Sequence, residues 1–382
     1  MTHTTAELSQ WTVEQRRHFH KHPELSGQEH NTAAYVKELL EEFGIPLLDG
    51  FTAPNVVAFF KGTEGSRTVA LRADMDALPV HEQVEKPFSS TVPGVMHACG
   101  HDAHMATLLG AAKWMSEHPE LVKNNIVLIF QSSEEESPSG AQQLVKDGVL
   151  EGVDAIYGLH YMSNVALGKV GFAEGFSMAS SDDFDIVIEG NGGHGGIPQD
   201  TVDPIYVATH VIQSFQSIIS RNLNPFHPGV ISFGKMKAGN SYNVIPDQVT
   251  LKGTIRALSF EGQELMYKRT VELTEKISDS FGAVGHYHYI EGTPPVYNHP
   301  EACATARNII QSTFGDDVFT EVEPTMGAED FGYYLKEKTG AFINVGMEGE
   351  KSAYPHHHPK FDVDEDTIPT GLELMVQLAL RG

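Results

Sequence analysis

The sequence predicts an α/β fold, a mixed sheet with helices on both faces, carrying an inserted ferredoxin-like α+β domain. Three observations carry this expectation. Strand-like and helix-like runs alternate through residues 1–178, as they do when crossover helices cover both faces of a sheet. A middle segment, residues 179–290, follows the order β-α-β-β-α-β of the split βαβ pattern. From residue 291 to 382 a buried strand (AFINVG) and a closing helix return, so the chain finishes its first domain after the insertion.

The elements follow from local patterns. Tyr35, Val36, Leu39, Leu40 and Phe43 recur at helical spacing and stop at Gly44, a residue suited to the left-handed position that ends a helix. Strands are expected over Asn55–Lys61 and Thr68–Arg72, then a helix over His104–His118, which places the intervening His/Cys cluster on a strand-to-helix loop. Asn125–Gln131 (NIVLIFQ) is apolar at consecutive positions, the pattern of a strand covered on both faces, and Asp154–His160 is a further strand. The character changes at MASSD, near residues 178–182. Beyond it the expected elements are strand Asp183–Glu189, helix Asp203–Arg221, strands Gly229–Met236 and Gln248–Ala257, helix Phe260–Ser280 and strand Val284–Ile290. Asp366–Leu380 is the closing helix.

Composition narrows the function classes. At 382 residues, with a prior of about 150 per domain, two units are favoured over one. Apolar residues at 40% against 20% charged give ample material for cores. The net charge of −25 disfavours nucleic acid and anionic membranes as partners. The first residues lack the apolar core of a secretory leader, and no stretch reaches the roughly 18 apolar residues of a membrane span. Cys99 and Cys303 are the two cysteines, which excludes a disulfide framework and suits a reducing cytoplasm.

Histidine is clustered. A single loop histidine is ordinarily a solvated side chain, but Met96–His104 (MHACGHDAH) sets Cys99 among His97, His101 and His104 on one Gly-containing loop. Thiolate and imidazole are ligands suited to zinc and its neighbours. Glu134, Glu135 and Glu136 follow directly on NIVLIFQSS. Three acids in a row are usually a solvated run, yet in an open α/β sheet ligands bind at the carboxyl ends of strands. Asp74 and Asp76 end one expected strand, the Glu run another, and His160 a third. Such convergence provides ligands for cations and a second carboxylate to take a proton from water, although spacing alone does not divide these roles among the glutamates. Three further histidines, His356, His357 and His358, stand near the chain's end. In the middle segment, the loop Gly190–Gly196 carries His194 but lacks the Lys-Ser/Thr of a phosphate loop. Arg256 ends a strand, where its planar fork suits a substrate carboxylate as well as it suits open solvent.

Together and in order, RRHFHKHPELSGQE, LRADMDALP, HACGHDAHMA, FQSSEEE, DAIYGLH, GGHGGIPQDTVDPI, NVIPDQVTLKGTIRA, MGAEDFGYYL and HHHPKFDVDE resemble the amidohydrolase and aminoacylase branch of the dinuclear-metal exopeptidase family. That branch includes hippurate hydrolases, auxin-conjugate hydrolases, N-acyl amino acid deacylases and some carboxypeptidases. The resemblance implies a zinc-exopeptidase-like catalytic domain and two divalent ions per subunit, Zn or Mn, Co or Ni. It implies Cys99, His101, Glu135, His160 and His357 as ligands, with Cys99 bridging; His357 is chosen because the family's ligand stands two residues before a proline, here Pro359. It further implies Glu134 as general base and then acid, and Asp76 as a residue orienting a ligand; Asp102, which the resemblance leaves unassigned, is expected to give support behind the ligands. His194 and Asn243 would meet the scissile carbonyl or substrate, His194 from the second subunit of a homodimer, and Arg256 would anchor the substrate carboxylate. One departure is FQSSEEESPSG where the family has Phe-Gln-Pro-Ala-Glu-Glu-Gly; the distance from Phe130-Gln131 keeps the pair at Glu134 and Glu135.

The expected activity is metal-dependent hydrolysis of the amide of a small N-acyl amino acid. The alternatives are a metallocarboxypeptidase or dipeptidase, a thiol hydrolase with Cys99 as nucleophile, and a non-catalytic metal or amino-acid binding protein.

Overall fold

The computed structural model describes residues 3–382. The strands that matter here are, in chain order, β1 (Val56–Phe60), β2 (Thr68–Asp74), β3 (Asn125–Gln131), β4 (Ala155–Ala166), β5 (Val170–Phe172), β6 (Ser181–Glu189), β7 (Gly229–Ala238), β8 (Gln248–Ala257), β9 (Val284–Thr293), β10 (Phe319–Glu321) and β11 (Gly340–Glu348). The helices are α1 (Ala6–Lys21), α2 (His30–Glu42), α3 (His101–Glu117), α4 (Gly140–Lys146), α5 (Pro204–Ser217), α6 (Phe260–Ser280), α7 (Pro300–Phe314), α8 (Gly332–Glu337) and α9 (Ile368–Arg381). Two compact units emerge. One comprises the chain up to Gly175 with Tyr297–Pro324 and Asp330–Gly382; the other is Phe176–Val296 with the short return Thr325–Glu329.

The first unit is built on a seven-stranded mixed sheet in the order β1-β3-β2-β4-β11-β5-β10. Strands β3, β2, β4 and β11 run parallel, while β1 pairs antiparallel with β3. Strands β2 and β3 are buried at nearly every position, which is why their sequences are apolar without alternation. Arg72 breaks that run and is nonetheless buried, because its guanidinium meets Asp74 at 2.6 Å and Asp330 at 2.7 Å. Helix α3 is buried almost all round, between α1, α9 and the sheet.

In this unit the expected boundaries that move furthest are at α3 and β4. Helix α3 begins at His101 rather than His104, since Gly100, at φ 90°, takes the left-handed conformation just before it; a Cβ there would stand 3.3 Å from Val363. Strand β4 runs on to Ala166, so His160 lies within the strand and not at its end. Continued pairing of Asn344, Val345 and Gly346 on β11 carries the strand past the histidine.

The second unit is a four-stranded antiparallel sheet in the order β9-β6-β8-β7. Asp182, Phe184, Ile186 and Ile188 alternate inward along β6, and α5 and α6 cover that face with Val207, Val211, Phe215 and Met266. Helix α5 stops at Ser217, where a π-type turn, Ile218–Asn222, takes over the end of the helix expected to reach Arg221.

Candidate metal centre

The first unit gathers its candidate ligands from four places. Cys99 precedes α3 and His101 is its first residue; Glu134 and Glu135 follow β3; His160 lies in β4; and His357 lies in the loop after β11. Potential ligand atoms of Cys99, His101 and His160 all lie within 4.8 Å of one another, as do those of Cys99, Glu135 and His357, and those of His101, Glu134 and Glu135. The three groups share members, so they form one cluster. Cys99 Sγ is 3.4 Å from His160 Nε2, Glu135 Oε1 is 3.1 Å from His357 Nε2, and His101 Nε2 is 4.0 Å from Glu135 Oε1.

Four of the candidate ligands are held from behind. His101 Nδ1 donates to the Asp76 carbonyl at 2.9 Å, which leaves Nε2 facing the cluster. His160 Nδ1 likewise donates to the Tyr161 carbonyl at 3.0 Å. Asp76 Oδ2 accepts the Glu135 N–H at 3.0 Å and the Ser26 hydroxyl at 2.7 Å, tying the glutamate loop to the segment after β2 that supports His101. His357 donates its backbone N–H to Ala98 at 2.8 Å. Ser133 (φ 50°) and His357 (φ 67°) are the non-glycine residues with positive φ among the described residues, and both belong to this site. Strain of that kind collects where a side chain must be aimed.

The electrostatics of the protein groups alone prepare His160 for a cation, while His101 and Cys99 must each give up a proton to bind one. Burial first, then His104 and His356, pushes His160 well below the ordinary imidazole value, so it is neutral and able to ligate. Burial opposes charge on His101, but Asp74 and Asp76 overcome it and push its pKa up to about 10. Burial, followed by Glu135 and Glu134, drives the Cys99 thiol far above its usual value. The protein groups around Cys99 therefore disfavour a free thiolate, which a cysteine nucleophile needs. A cation reverses that balance, since a coordinating thiol is deprotonated outright.

A metal fits this donor set on one further observation. His101 Nε2 is buried with no hydrogen-bond partner, and Glu135 Oε1, also buried, has His357 Nε2 at 3.1 Å as its neighbour. Leaving a buried atom such as His101 Nε2 unpaired costs about 1–3 kcal/mol, and a divalent ion removes that penalty. Soft sulfur, imidazole and carboxylate together suit zinc or its first-row neighbours.

Asp102 lies elsewhere. Its Oδ2 pairs with Arg16 Nε at 2.9 Å and His20 Nδ1 at 2.8 Å, so it fastens the first turn of α3 to α1. Burial works against its charge, but Arg16 and His20 prevail and hold it far below the carboxylate range. Glu136 is exposed and joins none of the ligand groups. Sequence reasoning missed the polar layer beneath the ligands. His104 Nδ1 meets Asp74 Oδ1 at 2.6 Å, and Asp330 accepts from Arg72, Gln131 and Ser139 while offering its own N–H to Glu134 Oε1 at 3.4 Å. Arg72 inside an apolar strand was the available signal, because a buried guanidinium demands acidic partners.

In the second unit His194 and Asn243 stand on adjoining segments: His194 pairs with Val244, and Gly195 N–H donates to the Asn243 carbonyl at 2.8 Å. His194 Nδ1 accepts the Gly196 N–H at 3.0 Å, which puts the ring proton on Nε2 of an exposed imidazole. Arg256, on β8, is half-buried and bonds to Thr254 Oγ1 at 2.6 Å and the Ile255 carbonyl at 3.2 Å.

A sheet with metal-competent side chains gathered in and just beyond its strands, and a general-base candidate among them, is the arrangement of a metal-dependent hydrolase. Comparison with known proteins agrees. Residues 70–381 match the model of peptidase family M20/M25/M40. The chain is 38% identical over 366 residues to an N-acetyl-L-cysteine deacetylase of Bacillus subtilis, covering 96% of this chain and 86% of that one. It is 37% identical to thermostable carboxypeptidase 1 of Saccharolobus solfataricus, covering 98% and 96%. A solved structure of the Bacillus subtilis YXEP protein, described as a dinuclear metal binding peptidase of the M20 family, superposes with a TM-score of 0.86 at 33% identity, covering 98% of each chain. The chain belongs to peptidase family M20/M25/M40 and is a metal-dependent amidohydrolase.

Proposed function

We propose that this enzyme hydrolyses the amide bond of N-acyl amino acids, and that Cys99, His101, Glu135, His160 and His357 would hold two divalent ions. The observation that carries the reading is the set of interlocking Cys/His/Glu groups, with the buried His101 Nε2 left without a hydrogen bond. When bound, such ions supply Lewis-acid polarisation and bring the pKa of a water toward about 7. Glu134 takes the proton of the attacking water and returns it to the leaving amine. Its neighbour Glu135 ligates, and the Asp330 N–H at 3.4 Å steadies the base without removing its charge. His194 donates its Nε2 proton to the oxyanion, Asn243 steadies the substrate and Arg256 pairs with its carboxylate. The working unit is a cytoplasmic homodimer in which His194 serves the other subunit.

Metal removal and add-back tests this reading. Chelation should abolish hydrolysis, and Zn, Mn, Co or Ni should restore it on N-acetyl amino acids faster than on dipeptides. The second reading, a carboxypeptidase or dipeptidase, draws on the carboxypeptidase among the relatives and requires the opposite order. Failure of every metal on both substrate sets contradicts both readings.

A further inference from the structure

Glu29 takes no part in the chemistry above, yet it is fully buried at the position preceding α2. A carboxylate there is ordinarily turned toward the free N–H groups of the first turn. Glu24 fills that role instead: its Oε1 accepts the N–H of Asn31 at 3.2 Å and its Oε2 that of Thr32 at 2.8 Å. Glu29 is thereby released to face inward. Its Oε1 accepts the N–H of Ser133 at 2.8 Å, while its Oε2 has no hydrogen-bond partner.

Ser133 is the left-handed residue immediately before Glu134. The N–H groups along this loop fall on side-chain acceptors drawn from separate parts of the chain. Ser132 donates to Asn55 Oδ1 at 2.8 Å, Ser133 to Glu29, and Glu135 to Asp76 Oδ2 at 3.0 Å. Ser26, three residues before Glu29, also donates to that Asp76 oxygen at 2.7 Å. One turn, Ser26 to Glu29, thus holds the glutamate loop on both sides of Glu134. Without the Glu29 acceptor, the Ser133 N–H loses its partner in a buried setting and the reason to keep a positive φ weakens.

We propose that Glu29 is a positioning residue, acting through the Ser133 N–H to fix the turn that aims Glu134 and Glu135. This rests on the reading of Glu134 as the general base. The required chemistry at position 29 is a hydrogen-bond acceptor; the negative charge is incidental.

The test compares Glu29→Leu, which removes the acceptor at similar volume, with Glu29→Gln, which keeps one, in the full chain. Hydrogen exchange of the peptide spanning residues 131–138 and steady-state kinetics on the preferred amide are both read. For Glu29→Leu, assayed with the metal in excess, we expect loop exchange to accelerate about tenfold and kcat to fall about 30-fold, with KM within about twofold. Glu29→Gln should restore exchange and kcat to within about threefold of wild type. Glu29→Asp, which folds under milder perturbation and withdraws the oxygen by one carbon, should shift both in the same direction. Wild-type exchange and kcat in Glu29→Leu, equal damage from Leu and Gln, or a silent Glu29→Asp each overturn the proposal. The exchange readout does not need turnover. A wild-type enzyme inactive on every amide, with loop exchange still accelerated in Glu29→Leu, sinks the proposed function and leaves the anchoring role standing.

Discussion

In the first unit the candidate ligands His101 and His160 are buried, each with its second ring nitrogen committed to a backbone carbonyl. In the second, His194 and Asn243 are exposed, and His194 is oriented by a single local N–H from Gly196. The contrast is one of pre-organisation. Metal ligands must hold their geometry before the ion arrives, so the first unit spends buried carboxylates and strained backbone on them. Groups that meet a substrate gain from a glycine-rich loop that lets the backbone come close, at the cost of weaker fixation.

If that contrast is right, substitutions in the first unit should cost metal or stability, and those in the second should cost rate or affinity alone. The largest effect is expected at a ligand. His101→Ala should lower metal stoichiometry and reduce kcat/KM on the order of a thousandfold or more, by elemental analysis and kinetics on the same preparation. Retention of both metals there would break the comparison.

Next is the buried ion group. Arg16→Met strands Asp102 with His20 alone and should destabilise by about 3–5 kcal/mol in urea unfolding at pH 7. Burial opposes the charges on Asp102, Asp362 and Glu365, but Arg16 and its neighbours win and hold their pKa values below the unfolded ones. Their contribution is therefore present above the unfolded carboxylate values, about 4, and is lost as pH falls through the folded values. The gap between wild type and Arg16→Met at about pH 7 should narrow as pH falls below about 4. A gap that widens in acid contradicts the account.

In the second unit, His194→Ala should lower kcat about a hundredfold with metal content and melting temperature unchanged. The smallest effect is at Arg256. Arg256→Lys keeps the charge but loses the planar fork, and should raise KM about tenfold while kcat moves little. Metal loss in either variant would show that the two units are not divided as proposed.

Much of this was legible in the sequence because buried strands and clustered ligands leave strong local marks. The doubly covered β3 stands out as NIVLIFQ, and HACGHD sets two ligand candidates within three residues. The start of α3 was misplaced by three residues because a histidine-rich segment has no helical hydrophobic period until the ligands are passed. The end of β4 was misplaced because His160 looks like a boundary, although pairing with β11 continues beyond it. The layer formed by Asp74, His104, Arg72 and Asp330 was hidden because its members are up to 258 positions apart and meet only once the sheet is assembled. Glu29 was hidden for a different reason. At a helix start a carboxylate is expected to turn toward the free N–H groups, and no local pattern reveals that Glu24 has taken that task.

The central claim, a metal cluster with a dedicated base beside it, is tested most directly by Glu134→Gln in the metal-loaded enzyme. The carboxamide keeps the size and an acceptor oxygen but cannot take the water's proton. We predict that both metals remain bound while hydrolysis of N-acyl amino acids is abolished. Near-normal turnover in Glu134→Gln contradicts the account.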